Sequence, residues 1–285
     1  MKDSICLVTG ATDGIGKATA MGLARTGATV ILHGRNPAKL DQALAEVRAV
    51  AGGGAVGSVL ADFSALDEVR ELAKRIHAEF GVLNVLINNA GLLTDHRQTS
   101  RDGFELTFAV NFLAPFLLTH LLLDLLKQNA PARVVNVAST AMGGGRIDLS
   151  DLQSERRFDG WRAYANSKLG NVLFSALLAE KLAGTGVVSN SLCPGLIDTN
   201  FFHTNEVFGN GGYERLRPGM RPPAEGALVP LFLATAAEAA SFNGEFFVRV
   251  GREGRRAVPL EIDRELAAAL WEHAAAELSP WLGEP

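Results

Sequence analysis

Cysteine is scarce in this chain, with only Cys6 and Cys193 among 285 residues. The two lie far apart and outside any CxxC pattern, which argues against a disulfide framework and fits either a reducing compartment or a protein that is indifferent to redox conditions. The six histidines are scattered and show no spacing typical of metal ligands. These absences argue against a disulfide-stabilised secreted domain, and they predict no metal site.

Long basic runs and long uninterrupted apolar runs are also absent. The net charge is −4 and no basic stripe is visible, which argues against nucleic acid as a partner. The longest apolar stretch, 112–126, contains Pro115, His120 and Asp124, which favours a buried helix over a membrane span. We expect no signal peptide, transit peptide or membrane span before the first apolar strand. We therefore expect a soluble, cytoplasmic protein with no integral membrane segment.

What the chain does contain is a regular alternation of apolar and amphipathic segments. Runs typical of buried strands occupy 5–9, 30–33, 56–60, 85–87, 133–138, 187–192 and 245–250. Helical patterns separate them, including a long helix over roughly 103–128 and a C-terminal helix around 261–278. This alternation predicts an α/β fold, in which helices cover both faces of a parallel sheet of about seven strands. We expect a single domain over 1–285, with 198–223 forming a flap over a site.

Glycine and polar residues cluster at the predicted carboxyl ends of the strands, where ligands of such sheets bind. Gly10, Gly14 and Gly16 lie between the first strand and the first helix. They allow a tight turn and a close approach to a pyrophosphate, which the helix N-terminus would stabilise through its dipole. Three glycines in seven residues also suit a plain turn between a strand and a helix.

Tyr164 and Lys168 lie four residues apart near the start of an amphipathic run, 163–182. On a helix, this spacing places both side chains on one face. An ammonium group about 4 Å from the phenol would lower the tyrosine pKa by roughly three units from ~10, toward the range of a general acid–base catalyst. A tyrosine and a lysine on a solvated helix face are the ordinary alternative.

Taken together, these residues resemble a known family. The motifs TGATDGIG (9–16), NNAG (88–91), Asn111, Ser139, YANSK (164–168) and PG (194–195) are similar in order and spacing to those of the non-extended short-chain dehydrogenase/reductases. The runs GIGKATA (14–20), IDLSDLQSER (147–156) and AYANSKLGNVLF (163–174) are closer to the retinol dehydrogenase-like branch, which also resembles protochlorophyllide reductase. The resemblance implies a Rossmann-type doubly wound sheet with strand order 3-2-1-4-5-6-7.

The resemblance also implies a role for each catalytic candidate. Tyr164 would exchange a proton with the substrate oxygen, while Lys168 would lower the tyrosine pKa and bind the nicotinamide ribose. Ser139 would orient the carbonyl group, and Asn111 would hold a water that links Lys168 to solvent. Taken alone, Ser139 could instead cap a strand end, and Asn111 could be a polar interruption in a buried helix.

Cofactor choice depends on the end of the second strand, where an acid favours NAD(H) and an arginine favours NADP(H). His33-Gly34-Arg35 contains no acid, and Arg35 can bind a phosphate with two hydrogen bonds, although it could also be a plain solvated residue. We therefore predict NADP(H) over NAD(H).

Asp62 would contact the adenine or, alternatively, cap the following helix. Besides Tyr164 and Lys168, the other cofactor-binding residues that the resemblance implies are Gly10, Thr12, Asp13, Gly14, Ile15, Gly16, Phe63, Asn89, Ala90, Gly91, Pro194, Gly195, Ile197 and Thr199.

Substrate selectivity is expected from apolar and aromatic loops, namely 92–94, 142–146, Trp161, Phe201, Phe202, Phe208 and Tyr213. The resemblance implies an NADP(H)-dependent oxidoreductase that interconverts an apolar carbonyl compound and its alcohol. Two alternatives stay open, namely C=C reduction at the same site and a dinucleotide-binding sensor without turnover. The family resemblance also implies homodimers or homotetramers formed through the helices around 103–128 and 161–183, although one chain could equally cover those surfaces.

Overall fold

The structure, a computed structural model, describes residues 1–203, 206–209, 211–250 and 254–283. Within these residues, eight strands form one sheet in the order β3-β2-β1-β4-β5-β6-β7-β8. Strands β1 to β7 are parallel, and β8 pairs antiparallel with β7. The strands are β1 Ile5–Val8, β2 Thr29–Gly34, β3 Val56–Leu60, β4 Val85–Asn88, β5 Ala132–Val137, β6 Val187–Cys193, β7 Phe246–Val250 and β8 Gly254–Val258.

Helices connect the strands and cover both faces of the sheet. They are α1 Gly14–Arg25, α2 Pro37–Arg48, α3 Leu66–Glu79, α4 Leu106–Phe108, α5 Ala114–Leu121, α6 Leu123–Gln128, α7 Gly160–Lys181, α8 Asn200–His203, α9 Gly212–Leu216, α10 Pro223–Gly226, α11 Leu228–Thr235, α12 Arg264–Glu277 and α13 Ser279–Leu282. Among the residues described, no helix has both the length and the apolar composition needed to cross a lipid bilayer.

The predicted fold class and strand order are confirmed, and one prediction about an individual element is wrong. The sheet extends the expected order of about seven strands by an eighth strand, β8. The single long helix predicted over 103–128 is divided, and a π turn at Ala109–Leu113 separates α4 from α5. Pro115 explains this break, because it has no N–H to bond the carbonyl of Asn111 four residues earlier.

Apolar side chains fill both sides of the sheet, which is why the strands are almost continuously apolar in sequence. Along β1, Leu7 faces the side covered by α3, α5 and α7, whereas Cys6 and Val8 face the side covered by α1, α2 and α11. This alternation follows the two-residue period of a strand. Since both faces are buried, the ends of the strands are where the sheet meets solvent and can hold a ligand.

The C-terminal helices cover part of the surface that the family resemblance predicted for subunit pairing. Trp271 of α12 stacks on Phe174 of α7 with ring centroids 5.5 Å apart, and it contacts Phe116 of α5 edge-on at 5.0 Å. Lys181 lies over the same indole ring, 4.9 Å from its centroid. The apolar outer surface of α5 and α7 is thus covered, at this point, within one chain.

Candidate active site

One cleft opens at the carboxyl ends of the strands and has a volume of about 1210 Å³. Pockets for one small ligand typically measure roughly 300–1,000 Å³, so this cleft has room for a dinucleotide and a substrate together. Every residue predicted to bind the cofactor lines the cleft, as do Ser139, Tyr164 and Lys168. Asn111 lies behind the lining, where a Cβ atom on Gly91 would be 3.3 Å from its Oδ1.

The glycine loop between β1 and α1 has no space for a side chain where it approaches the cleft. Gly10 has a φ of +64°, in the left-handed region that favours glycine. A Cβ atom on Gly16 would lie 2.2 Å from the carbonyl oxygen of Gly10 and 2.5 Å from Nδ2 of Asn89. Asn89 Nδ2 in turn donates to the carbonyl oxygens of Thr9 and Gly10, at 2.9 and 3.2 Å. The loop therefore fits a pyrophosphate that approaches the N-terminus of α1 closely.

Asp13, the acidic residue of this loop, is engaged within the protein. Its Oδ1 accepts a hydrogen bond from the backbone N–H of Gly14 at 2.7 Å, as the N-cap of α1. Its Oδ2 accepts one from the side chain of Asn200 in α8, the first helix of the predicted flap. Asp13 thus caps the helix and ties the glycine loop to the flap.

The turn after β2 carries two cations at the rim of the cleft. Arg35 is exposed there and makes no hydrogen bond or ion pair with any residue that the structure describes. Lys39, in the first turn of α2, lines the same rim but was missing from the sequence-based prediction. Its position about one helical turn after Arg35 was the sequence signal that could have identified Lys39 as a second cation at this rim. At Gly34, a Cβ atom would lie 2.3 Å from Cγ2 of Thr12, so an acidic side chain has no room at that position.

Asp62 lines the cleft and does not cap α3. Its Oδ1 accepts from the backbone N–H of Ser64 at 2.9 Å, and its Oδ2 lies 3.5 Å from Nη2 of Arg101. The first turn of α3 is instead served by Asp102, whose Oδ2 accepts from the N–H of Leu66 at 2.8 Å. Of the two predicted roles for Asp62, capping of the following helix is therefore wrong.

Tyr164 lies on the second turn of α7, and its hydroxyl is near enough to the side chain of Ser139 to interact with it. Ser139 follows β5 directly, and its Oγ also accepts from the N–H of Ala141 at 3.2 Å, which is the strand-end cap considered as its alternative role. Burial raises the pKa of the Tyr164 phenol above its ordinary value of 10.0, although the hydrogen bond to Ser139 opposes this shift. The phenol is therefore protonated at neutral pH.

Lys168 lies one turn further along α7 and is almost fully buried, with 4% of its surface exposed. Its ammonium group donates to the carbonyl oxygen of Val137 at 3.0 Å and lies 5.5 Å from the centroid of the Tyr164 ring. Burial lowers the pKa of Lys168 to about 8. The net shift of the tyrosine pKa is thus upward, opposite to the predicted lowering, because desolvation of the phenol is its largest cause.

Asn111 lies in the π turn and bonds both the loop after β4 and helix α7. Its Oδ1 accepts from the N–H of Leu92 at 2.8 Å, and its Nδ2 donates to the carbonyl of Leu92 at 2.8 Å and to Oγ of Ser167 at 3.0 Å. The Ser167 hydroxyl donates in turn to the carbonyl of Tyr164 at 2.7 Å. The side chain thus fixes the loop after β4 against α7. Its predicted role in holding a water stays a prediction.

Aromatic side chains form one wall of the cleft beside Tyr164. The ring centroids of Trp161 and Phe201 lie 5.8 and 5.4 Å from that of Tyr164. Phe208 contacts Trp161 at right angles, at 6.5 Å, and packs on Phe202 at 4.7 Å. Trp161 is still 50% exposed at the mouth. This wall is suited to an apolar substrate.

Two parts of the predicted substrate pocket do not line the cleft. Residues 142–146 are absent from its lining, and the N–H of Arg146 donates to Oδ1 of Asn166 at 2.6 Å. Tyr213 is held by Asp198, to which its hydroxyl donates at 3.2 Å. Leu106 and Val110 line the cleft, although they were predicted only as part of the long helix over 103–128. Within the predicted flap, residues 204, 205 and 210 lie outside the described residues.

Comparison with known proteins places this geometry in a family. The chain matches the family model for short chain dehydrogenases over residues 4–207. Human retinol dehydrogenase 13 is 38% identical over 275 residues, which cover 94% of this chain and 82% of that protein. The crystal structure of an uncharacterised protein from Mycobacterium paratuberculosis is similar at a TM-score of 0.78 and 31% identity, over 98% of this chain and 94% of the other. A short chain dehydrogenase from Burkholderia cenocepacia J2315, solved in complex with NADP, shares the fold at a TM-score of 0.70 and 24% identity, over 87% of this chain and 96% of that one.

The family match extends across the parts of the chain that build the cleft. It includes the glycine loop, the strand end at Ser139 and the helix that carries Tyr164 and Lys168. Members of this family use a nicotinamide dinucleotide, and the glycine loop before α1 fits the pyrophosphate of such a cofactor. The chain is an oxidoreductase that belongs to the short-chain dehydrogenase family.

Proposed function

We propose that this protein is an NADP(H)-dependent oxidoreductase that interconverts an apolar carbonyl compound and its alcohol. The observation that carries the proposal is the pair of hydroxyls of Tyr164 and Ser139, which line the cleft together and interact beside an aromatic wall. Two hydroxyls at one point suit a substrate with a single reacting oxygen on an apolar body. The similarity to a retinol dehydrogenase supports the same class of substrate.

The residues of the cleft divide into two groups by the chemistry they would perform. The glycine loop would bind the pyrophosphate and Arg35 with Lys39 a 2′-phosphate, and the bound nicotinamide would supply or accept the hydride. Ser139 and Tyr164 would both hydrogen-bond the substrate oxygen, which orients the reacting carbon. Tyr164 would donate its proton to that oxygen during reduction, and its raised pKa favours the protonated form that this step requires.

The proton on Tyr164 must then be replaced from solvent. Pro115 deprives the carbonyl of Asn111 of its ordinary helical donor, so this oxygen can accept from another group. Gly91 lies close to both Asn111 and Lys168. A Cβ atom on it would be 3.3 Å from Asn111 Oδ1 and 3.4 Å from Lys168 Nζ, so glycine leaves the space beside these two groups free of a side chain. We propose that a water held between the Asn111 carbonyl and Lys168 returns the proton.

A substrate screen tests the proposed function directly. Retinoid, steroid, aromatic and aliphatic carbonyl compounds would be supplied with NADPH, and the matching alcohols with NADP⁺. Analysis of the products separates C=O reduction from C=C reduction, which is the main alternative reaction at the same site. A non-catalytic sensor would bind NADPH but turn over no member of the panel.

Arg35→Ser is expected to weaken NADP⁺ binding by about 10–100-fold and to change NAD⁺ binding by less than about threefold. A hydrogen bond to a charged group contributes about 1.5–3 kcal/mol, and only NADP⁺ carries the 2′-phosphate. Calorimetric titration with both cofactors measures the difference. Arg25→Ser, at the exposed end of α1, serves as the matched control. A wild-type enzyme as efficient with NADH as with NADPH would show that the cofactor assignment is wrong.

Trp161→Leu is expected to reduce kcat/KM for an aromatic aldehyde by about 3–10-fold, because aromatic contacts contribute about 0.5–1.5 kcal/mol beyond the area they bury. A matched pair, benzaldehyde and cyclohexanecarbaldehyde, isolates this contribution, and the aliphatic member should change less. Trp161→Phe should preserve the preference, and Trp281→Leu controls for loss of an indole outside the cleft. An equal effect on both aldehydes would limit Trp161 to a general apolar role.

A further inference from the structure

His33 is a buried side chain that links two loops at the adenosine end of the proposed cofactor site. It is the penultimate residue of β2, and only 3% of its surface is exposed. Its Nδ1 lies 3.3 Å from the backbone nitrogen of Gly10, and its Nε2 lies 3.0 Å from the carbonyl oxygen of Ala61. The imidazole also stacks on Phe63, with centroids 4.2 Å apart and 17° between the planes. One side chain therefore joins the glycine loop after β1 to the loop after β3.

These partners determine the chemical form of the imidazole. A backbone N–H can only donate, so Nδ1 must present its lone pair to Gly10. A carbonyl oxygen can only accept, so Nε2 must carry the proton that bonds Ala61. Burial lowers the pKa of His33 to about 4, although the hydrogen bond to Ala61 and the charge of Asp62 oppose this shift. The ring is thus neutral at physiological pH, in the single tautomer that satisfies both partners.

The residues that His33 contacts are residues of the cleft. Gly10, Ala61 and Phe63 all line it, together with His33 itself. A glycine in the left-handed region has many accessible conformations, so a hydrogen bond to the N–H of Gly10 restricts the loop where it is most permissive. The N–H of Ala11 donates to the carbonyl of His33 at 2.8 Å, so the backbone of β2 holds the next residue of the same loop.

We propose that His33 is a positioning residue for the adenosine half of the dinucleotide, an inference that rests on the cofactor proposed above. It holds the glycine loop and the Ala61–Phe63 loop at a fixed spacing, so the site is formed before the cofactor binds. His33 therefore acts on the adenosine half of the dinucleotide, which NAD⁺ and NADP⁺ share apart from the 2′-phosphate. In this it differs from Arg35, whose proposed partner is the 2′-phosphate of NADP⁺ alone.

Three substitutions separate the contacts of His33. His33→Phe keeps a ring that can stack on Phe63 but removes both hydrogen bonds. His33→Asn keeps an acceptor near the position of Nδ1, whereas His33→Gln keeps a donor near the position of Nε2. Each variant would be titrated calorimetrically with NADP⁺ and with NAD⁺, and its Tm would be recorded. We expect the Phe variant to bind both cofactors about tenfold more weakly, and the Asn and Gln variants, which each keep one of the two hydrogen bonds, to bind about threefold more weakly than wild type.

The readouts distinguish positioning from packing. A purely structural role would change the Tm without a matching loss of cofactor affinity, whereas positioning raises Kd and KM for the cofactor and preserves kcat at saturation. His120→Phe is the matched control, because His120 also stacks on a phenylalanine, Phe116, at 4.2 Å, but does not line the cleft.

Wild-type affinity in the Phe variant, or a loss confined to NADP⁺, would overturn the proposal. If the Phe variant does not fold, the Asn and Gln variants decide, and wild-type affinity for both cofactors in either of them would overturn the proposal. Failure of the wild-type protein to bind either dinucleotide would instead overturn the proposed function.

Discussion

Tyr164→Phe is expected to lower kcat for carbonyl reduction by about 10²–10⁴-fold, the range that general acid catalysis contributes. The substitution removes one oxygen and keeps the ring that packs against Trp161 and Phe201. The glycine loop and Arg35 are untouched, so NADPH affinity should stay within about threefold of wild type. Steady-state kinetics on a substrate found in the screen, together with a fluorescence titration of NADPH, measure the two quantities separately.

Tyr213→Phe provides a matched control, because Tyr213 is the only other tyrosine and lies outside the cleft. Loss of its hydroxyl should change kcat by no more than about threefold, as for other surface substitutions. Retention of kcat in Tyr164→Phe would contradict the assigned proton donor. Loss of NADPH binding in that variant would assign the tyrosine to cofactor binding and not to the chemical step.

Lys168→Met is expected to reduce kcat/KM by about 10²–10³-fold, the loss typical when one preorganised charged group is removed from an active site.

The stability of the Lys168→Met variant should depend on pH differently from that of wild type. Removal of a buried ammonium relieves its desolvation, while the carbonyl of Val137 loses its donor at a cost of about 1–3 kcal/mol. At pH 7 these two effects largely cancel, so the difference in stability between the variants is small.

The difference in unfolding free energy between wild type and Lys168→Met should change with pH in a definite direction. Burial lowers the pKa of Lys168 to about 8 in the folded chain, from an ordinary value of 10.5. Between these values the unfolded chain binds more protons, so wild-type stability rises with pH through this window. From pH 7 to pH 9.5, wild type should therefore gain about 2 kcal/mol relative to Lys168→Met.

Urea titrations of both proteins at the two pH values measure this gain. Lys181→Met, at the exposed end of the same helix, controls for the loss of a lysine and should retain activity. A stability difference that does not change with pH would show that Lys168 is not buried as a charged group.

Much of the fold could be predicted because its signals are local. Each apolar run satisfies the strand period by itself, and each amphipathic run satisfies the helix period, so their alternation indicates a parallel sheet. The strand β8 could not be recognised in this way. Its sequence, Gly254–Val258, is not apolar, and it pairs antiparallel along β7 at the edge of the sheet. A strand of this kind depends on its neighbour and not on its own pattern.

The sequence by itself determined that the residues at the strand ends reach the cleft, because they must meet at one edge of a parallel sheet. Gly16 and Ser139 were therefore predictable. Only the tertiary structure decided how the side chains are used, since hydrogen-bond partners and burial come from residues far away in the chain. The ammonium of Lys168 bonds the carbonyl of Val137, 31 residues earlier, and His33 contacts Gly10, 23 residues before it. Desolvation depends on the whole fold, so the pKa values on which the chemistry rests belong to the tertiary structure.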